Sequence, residues 1–417
     1  MSSRFSSASS HRSAPSLPGS IAYEDPLDEY DEDETYKGLP LAALPIAIDL
    51  EEDIIDILNV LPFDLVQSII DLITDKRTLI ACTLVCRAWV SRSRRHLFDM
   101  SIVRVNRVKA DAFVDLFGSP HFSLRRLPHL ELSFRGESSR LAEDVVPLLA
   151  KHRIEVESLH LLADSITSSN CGKALSSLSS TYKRSVTELS LQNYSSDSLR
   201  DVLPFVHSFG RLEVFRLAGR FSGRVSAKKL PVKLTKFSFS NESGSSRGSG
   251  TEQVLHWLSS PKDNIPPPLL ELTIRGLGPT NIPELQKVLY FAGRNLQYLT
   301  LADLTIPGHD LIPDLHRLHS LRHISITPHN TNTLEYIVKM LMTVSSEFLE
   351  EIALSAGHIP LSELREPDFR CLDQAFDEIR CKRLTIKCHS TGTLLLRTWF
   401  PQCRKREIIE FVLTGSS

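Results

Sequence analysis

The sequence predicts an α/β protein: a small three-helix module followed by an irregular solenoid, with parallel strands on the concave side and helices on the convex side. Three observations carry that prediction. A pattern of the form L-x-x-L-x-L returns eleven times, with middle anchors from Leu130 to Phe411 at a mean spacing of about 28 residues, within the range of stacked supersecondary repeats. Apolar stretches of helical period, such as Val145 to Leu149 and Leu285 to Phe291, lie between the copies. Upstream, Leu61 to Phe98 carries apolar residues at helical spacing, broken where turn residues intervene.

Residues 1–50 open on a serine-rich segment and pass into an acidic run, Tyr23-Glu24-Asp25 through Asp31-Glu32-Asp33-Glu34. Like charges repel, and few apolar side chains are present to offset chain entropy, so a disordered tail is expected. An acidic interaction segment is the alternative. Residues 51–98 hold the helices. Leu65, Ile69 and Leu72 mark one apolar stripe, and Leu79, Cys82, Val85 and Trp89 mark another. Leu61-Pro62 suits a helix start, Asp64 lies at the positive end of the dipole, and Thr74-Asp75-Lys76 breaks the first helix from the second. Three short helices cannot enclose a core that offsets chain entropy, so a partner or a fused domain must cover some of their apolar surface.

No linker follows Phe98, because Met100 to Val105 already reads as a strand. A rigid join to residues 99–417 is therefore expected. In that region each copy of the pattern places two apolar side chains on one face of a short strand. The copies run Leu127-Leu130-Leu132, Val156-Leu159-Leu161, Val186-Leu189-Leu191, Leu212-Phe215-Leu217, Leu234-Phe237-Phe239 and Leu269-Leu272-Ile274. They continue with Leu296-Leu299-Leu301, Leu321-Ile324-Ile326, Leu349-Ile352-Leu354, Cys381-Leu384-Ile386 and Ile408-Phe411-Leu413. No coil buries its apolar face alone, so neighbours must stack. Only 22 residues separate Phe215 from Phe237, which leaves little room for a helix. The next interval, of 35, contains the serine- and glycine-rich insert 240–250, expected to be a mobile loop.

Leu61-Pro62, the Leu65-Val66 and Ile69-Ile70 pairs, Leu84-Val85-Cys86-Arg87-Ala88-Trp89 and His96-Leu97-Phe98 together resemble an F-box, in a form most similar to fungal F-box proteins. Asp64 departs from the usual glutamate but keeps its charge. The repeats resemble the leucine-rich repeats that follow F-boxes in one large class of receptors. They are degenerate: the asparagine or cysteine expected after each strand is mostly absent, with Asn193 a partial exception. The resemblance implies docking on the Skp adaptor of an SCF ubiquitin ligase and, through it, on a cullin–RING scaffold. It places Leu61, Pro62, Leu65, Ile69, Leu84, Val85 and Trp89 at the adaptor. A helical cap on the following domain is the alternative for the same residues.

The chain has 417 residues, 41% hydrophobic and 24% charged, with a formal net charge of -2, so no electrostatic footprint for nucleic acid or an anionic membrane is expected. Seven cysteines without a paired framework, and no apolar segment after Met1-Ser2-Ser3-Arg4, argue for a reducing compartment, cytoplasmic or nuclear. Leu79 to Val90 is interrupted by Arg87 and too short to span a bilayer. Cys171-Gly172-Lys173-Ala174 lacks the glycine and hydroxyl of a phosphate loop. His316 and His319 could share a helical face, but Leu315, Leu318 and Leu321 take the inward positions and no cysteine is near, so no metal is expected. Cys82 and Cys86 read as small buried apolar residues. Arg92, Arg94, Arg95 and His96 read as the charged face of the third helix. No catalytic residue and no cofactor is nominated.

Strand alternation sends the residues flanking each apolar pair to the concave side. Glu131, His160, Ser190, Arg216, Ser238, Thr273, Thr300, Ser325 and Thr385 form a middle row. Glu188, Lys236, Glu271, Tyr298, His323, Glu351 and Arg383 flank it on one side, and Gln192, Arg275, Thr327 and Lys387 on the other. This mixed polar surface suits a protein or peptide better than a polyanion, with Arg216, Lys236, Arg275, Tyr298, His323 and Arg383 as candidate target contacts. The expected function is that of a non-catalytic substrate receptor recruiting a protein for ubiquitination. The alternative is a repeat scaffold acting outside a ligase.

Overall fold

Helix α1, Phe63–Leu72, begins directly after Pro62, whose carbonyl accepts from the N–H groups of Leu65 and Val66 at 2.9 and 3.3 Å. Helix α2, Lys76–Val85, is capped by Asp75, which accepts from the Thr78 N–H at 2.7 Å and from its hydroxyl at 2.6 Å. The residue that breaks the first helix thus starts the second. Helix α3, Arg87–Met100, crosses back over both. A small core of Val66, Ile70 and Leu79 forms between them, with Ile73, Trp89 and Leu97 packed against it. Asp71 of α1 and Arg92 of α3 lock together through two hydrogen bonds, one of 2.7 Å from Nε, and His96 Nε2 lies 3.0 Å from the Ile73 carbonyl. The basic run of α3 is therefore partly spent on tying α3 to α1.

The computed structural model describes residues 62–118, 125–134, 141–163, 169–196, 199–221, 230–241, 249–259, 268–305, 311–330, 333–356, 359, 365–388 and 393–413. Leu61, the tail at 1–50 and most of the 240–250 insert lie outside them; of that insert, Ser240 closes a strand and Ser249 and Gly250 open a helix.

One residue, Ser101, separates α3 from the first strand, β1 (Ile102–Val105). Eleven further strands follow in chain order: β2 (Arg126–Ser133), β3 (Glu155–Leu162), β4 (Glu188–Ser196), β5 (Val214–Phe221), β6 (Lys236–Ser240), β7 (Glu271–Arg275), β8 (Tyr298–Leu304), β9 (His323–Pro328), β10 (Glu351–Ser355), β11 (Arg383–Cys388) and β12 (Ile409–Leu413). They form one 12-stranded sheet whose spatial order is the order of the sequence, and every pairing is parallel. The helices between them include α4 (Ala110–Gly118), α5 (Val146–His152), α6 (Ser169–Tyr182), α7 (Leu203–Ser208), α8 (Ser249–Ser259), α9 (Ile282–Ala292), α10 (Leu334–Leu341), α11 (Glu366–Glu378), α12 (Thr393–Trp399) and α13 (Pro401–Lys405). This is a mixed α/β, solenoid-like arrangement. Strands and helices share one apolar core, and Phe98 of α3 packs against it while its neighbour Leu97 packs against the small core. Alternate faces of one helix thereby bind the module to the sheet.

The two apolar positions of each strand from Leu130-Leu132 to Leu384-Ile386 are buried, as the alternation requires. The last copy is a correction. Leu384 pairs with Ile409 and Ile386 with Phe411, so the strand pair of β12 is Ile409 and Phe411, two residues earlier than the Phe411-Leu413 of the pattern; both are partly buried against the core, as Ile408 is, while Leu413 is exposed.

Register slips twice, between Leu191 and Tyr194 in β4 and between Leu301 and Leu304 in β8. Asn193 and Asp303 sit at those slips with φ of 55° and 52°, and Gly276 occupies the equivalent place after β7 with φ of 80°. Asn, Asp and Gly are the residue types that tolerate this left-handed region. At the β4 slip the Tyr194 carbonyl presses against Gly219 of β5, where any Cβ would collide with it.

Two coils have no helix among their described residues. Between β5 and β6 the space is filled by large aromatics: Trp257 of α8 is fully buried, edge-on to Phe215 and Phe237 at 6.3 and 5.9 Å. Between β8 and β9, residues 311–321 form turns, so His316 and His319 share no helical face. Leu315, Leu318 and Leu321 are buried there as expected. Gln286 of α9 holds this segment by a two-point amide clasp, accepting from Asp314 N–H at 2.7 Å and donating to its carbonyl at 3.0 Å. Among the described residues, no helix is long and apolar enough to cross a membrane.

Candidate functional site

Two surfaces stand out. The first is on α1 and α2, which are apolar on more than one face. Val66, Ile70 and Leu79 point into the module's core, while the stripe one residue away points to solvent: Leu65 is 51%, Ile69 50% and Leu72 81% exposed. On α2, Leu84 is 82% exposed, with Val85 and Ile80 also open, and Phe63 and Pro62 extend the patch at the start of α1. Of the residues assigned to an adaptor, Pro62, Leu65, Ile69, Leu84 and Val85 are thus open, and Leu61 lies outside the described residues. Trp89 differs, being half-buried against the module's own core. Cys82 is buried, but Cys86, between α2 and α3, is exposed, which corrects the expectation that both are buried. Phe63 and Ile80 were not singled out from sequence, and Leu72 only as part of an apolar stripe, because helical period alone does not say which of two apolar faces the chain itself covers.

The second surface is the face of the sheet that the helices do not cover. Register places Glu131, His160, Ser190, Arg216, Ser238, Thr273, Thr300, Ser325, Ala353, Thr385 and Glu410 in one continuous row across β2 to β12. The flanking row runs Glu188, Val214, Lys236, Glu271, Tyr298, His323, Glu351 and Arg383. Of the candidate contacts, Lys236, Tyr298, His323 and Arg383 share this flanking row, Arg216 lies in the middle row and Arg275 on the far side.

Most of the charges on this face are answered by the neighbouring strand. Arg104 meets Glu131 at 3.4 Å, Arg216 meets Glu188, Lys236 meets Glu271 at 2.9 Å, Arg275 meets Asp303 at 3.5 Å and Arg383 meets Glu410 at 3.9 Å. His323 lies between two carboxylates, Nε2 3.4 Å from Glu350 and Nδ1 3.4 Å from Glu351, and stacks flat on Tyr298 with centroids 4.7 Å apart at 4°. Thr385 donates to Glu351 at 2.6 Å. Such cross-strand pairs reinforce the sheet, each by a modest amount.

No protein-family model matches the chain, and no curated protein matches it. Function must therefore be argued from these surfaces.

Chemistry requires converging groups, and one pair on the sheet lies close together. Ser158 Oγ lies 2.9 Å from His160 Nε2 on the open sheet face. Burial holds the His160 imidazole below its ordinary pKa, helped by Arg216, His129 and Arg104 nearby. Ser158 is itself only 2% exposed, and no carboxylate is hydrogen-bonded to His160 among the described contacts, so the pair lacks both access and an orienting group. Cys381, Cys388 and Cys403 are buried, and burial pushes each thiol up, away from the reactive thiolate. Among the described residues, no group of three or more His, Cys, Asp or Glu side chains is placed to hold a metal ion. His316 is instead turned to Asp314, with Nδ1 2.6 Å from the carboxylate.

Proposed function

We propose that this chain is the substrate-receptor subunit of an SCF-type ubiquitin ligase. In this reading α1 to α3 act as an F-box that docks on a Skp-family adaptor and, through it, on a cullin–RING ligase. The sheet and its helices act as irregular leucine-rich repeats that hold a protein target. The observation that supports the reading is the open aliphatic patch of Leu65, Ile69, Leu72, Leu84 and Val85. Large apolar side chains left in water in such number on two short helices mark an interaction site. Here it coincides with residues that the resemblance assigns to the adaptor. The contribution of the chain would be proximity: a target lysine held beside a ubiquitin-charged enzyme reacts as if intramolecularly.

The test is a pull-down with a Skp-family adaptor, comparing wild type with a Leu65→Ala, Leu84→Ala double variant. Both side chains are exposed in the free chain, so the variant should fold normally, which circular dichroism checks. Burying an aliphatic side chain at an interface is worth about 1.5 to 3 kcal/mol, so adaptor binding should weaken at least about tenfold. If wild type binds no adaptor, the ligase reading falls and the interaction scaffold takes its place.

A further inference from the structure

We infer that the strip of open sheet from β6 to β11 is a seat for an extended, uncharged peptide segment. This rests on reading that face as the one that holds the target, and it adds what kind of target segment the face can hold.

Relief comes first. In the middle row, Ser238, Thr273, Thr300, Ser325, Ala353 and Thr385 are all short, whereas the row begins and ends on long side chains, Arg216 on β5 and Glu410 on β12. Taller residues, Tyr298 and His323 among them, line one side. The result is a run of short side chains flanked by longer ones on one side and at both ends. Five inter-strand steps of about 4.8 Å make it about 24 Å long, which is the span of about seven extended residues.

Chemistry selects the occupant. The ionic groups along that flank are already paired, Lys236 with Glu271, His323 with Glu350 and Glu351, and Arg383 with Glu410. A charged ligand would have to compete with those pairs and gain little. The hydroxyls of Ser238, Thr273, Thr300 and Ser325 are in the opposite condition: half-buried, and without a protein hydrogen-bond partner among the described residues. A hydroxyl both donates and accepts, so a row of them matches the alternating N–H and C=O groups of an extended backbone. Tyr298, 41% exposed with its ring held flat by His323, offers a large apolar anchor on this strip, suited to a proline or aromatic side chain of the peptide. Nucleic acid and other polyanions need rows of unpaired cations, which this flank does not offer.

The experiment uses the full chain against arrayed nine-residue peptides in three sets: uncharged (Ser, Thr, Asn, Gln, Pro, Tyr), acidic and basic. Wild type is compared with Thr300→Arg, which breaks the run of short side chains, and Tyr298→Ala, and all three are checked by circular dichroism and adaptor pull-down. The expected result is retention of uncharged peptides, with affinity changing less than about twofold between about 50 and 300 mM salt, and at least tenfold loss in Thr300→Arg. A preference for either charged set, a steep salt dependence, binding unaffected by Thr300→Arg, or no retained peptide would each overturn the seat. Adaptor binding reports separately on the receptor reading: a wild type that binds adaptor but retains no peptide removes the seat alone, and peptide binding without adaptor removes the ligase.

Discussion

His160 illustrates how much one position on the open face is set by its neighbours. It occupies the middle row beside Glu131 and Ser190, and burial, with Arg216, His129 and Arg104 nearby, keeps the imidazole neutral to lower pH than usual. Its folded pKa lies below the ordinary 6.5, so as pH falls the unfolded chain takes up the proton first. The stability this group contributes is therefore complete above the ordinary value and is lost as pH drops through it toward the folded value. The wild-type melting temperature should fall from about pH 7.5 to about pH 5.5, and His160→Gln should flatten that fall. Scanning fluorimetry across the range checks it; equal slopes in both proteins would refute the account. The sequence placed His160 in this row correctly, but its protonation depends first on burial and then on Arg216, His129 and Arg104, which the fold gathers from three other strands.

At the level of the element, the strand faces were readable because a buried apolar pair in each copy pins the register, and a slip of one residue would turn the pair outward. That is why the middle row from Glu131 to Thr385 is legible in the sequence. β12 kept its face but not its register, because Ile409, Phe411 and Leu413 alternate on one face and the pattern alone does not say which two of them pair with Leu384 and Ile386. The left-handed residue after the strand escaped for a different reason. Asn193, Gly276 and Asp303 do one backbone task at one place in three coils, yet share no side-chain chemistry that a pattern search would join. A direct test separates the backbone from the side chain. Asp303→Gly and Asp303→Val both lose the contact with Arg275, but only valine must be forced to φ of 52°. Valine should be less stable than glycine by about 1 to 2 kcal/mol in urea unfolding; equal stabilities would mean that the slip relaxes at no cost. From helical period alone the open stripe on α1 was unreadable, since Leu65 and Val66 are both apolar and only packing decides that one faces water; it was the resemblance that set Leu65 and Ile69 apart.

Across the whole molecule, the sheet and the helical module are coupled through α3, whose Leu97 and Phe98 serve different cores. The chain has three tryptophans, and two of them lie on the two sides of that joint: Trp89 against the small core and Trp257 deep in the sheet's core. Single-tryptophan variants retaining either one should report coincident urea transitions in the wild-type background. With Phe98→Ala the Trp89 transition should move to lower urea than that of Trp257; unchanged coincidence would show that the joint is not the coupling. The order of the strands has a further consequence. Since β1 to β12 lie side by side as they occur in the chain, each strand leaving a ribosome finds its only upstream partner already made. The sheet can therefore grow by vectorial addition during synthesis, with the three helices, and the aliphatic patch they leave open, completed before the first strand is laid down.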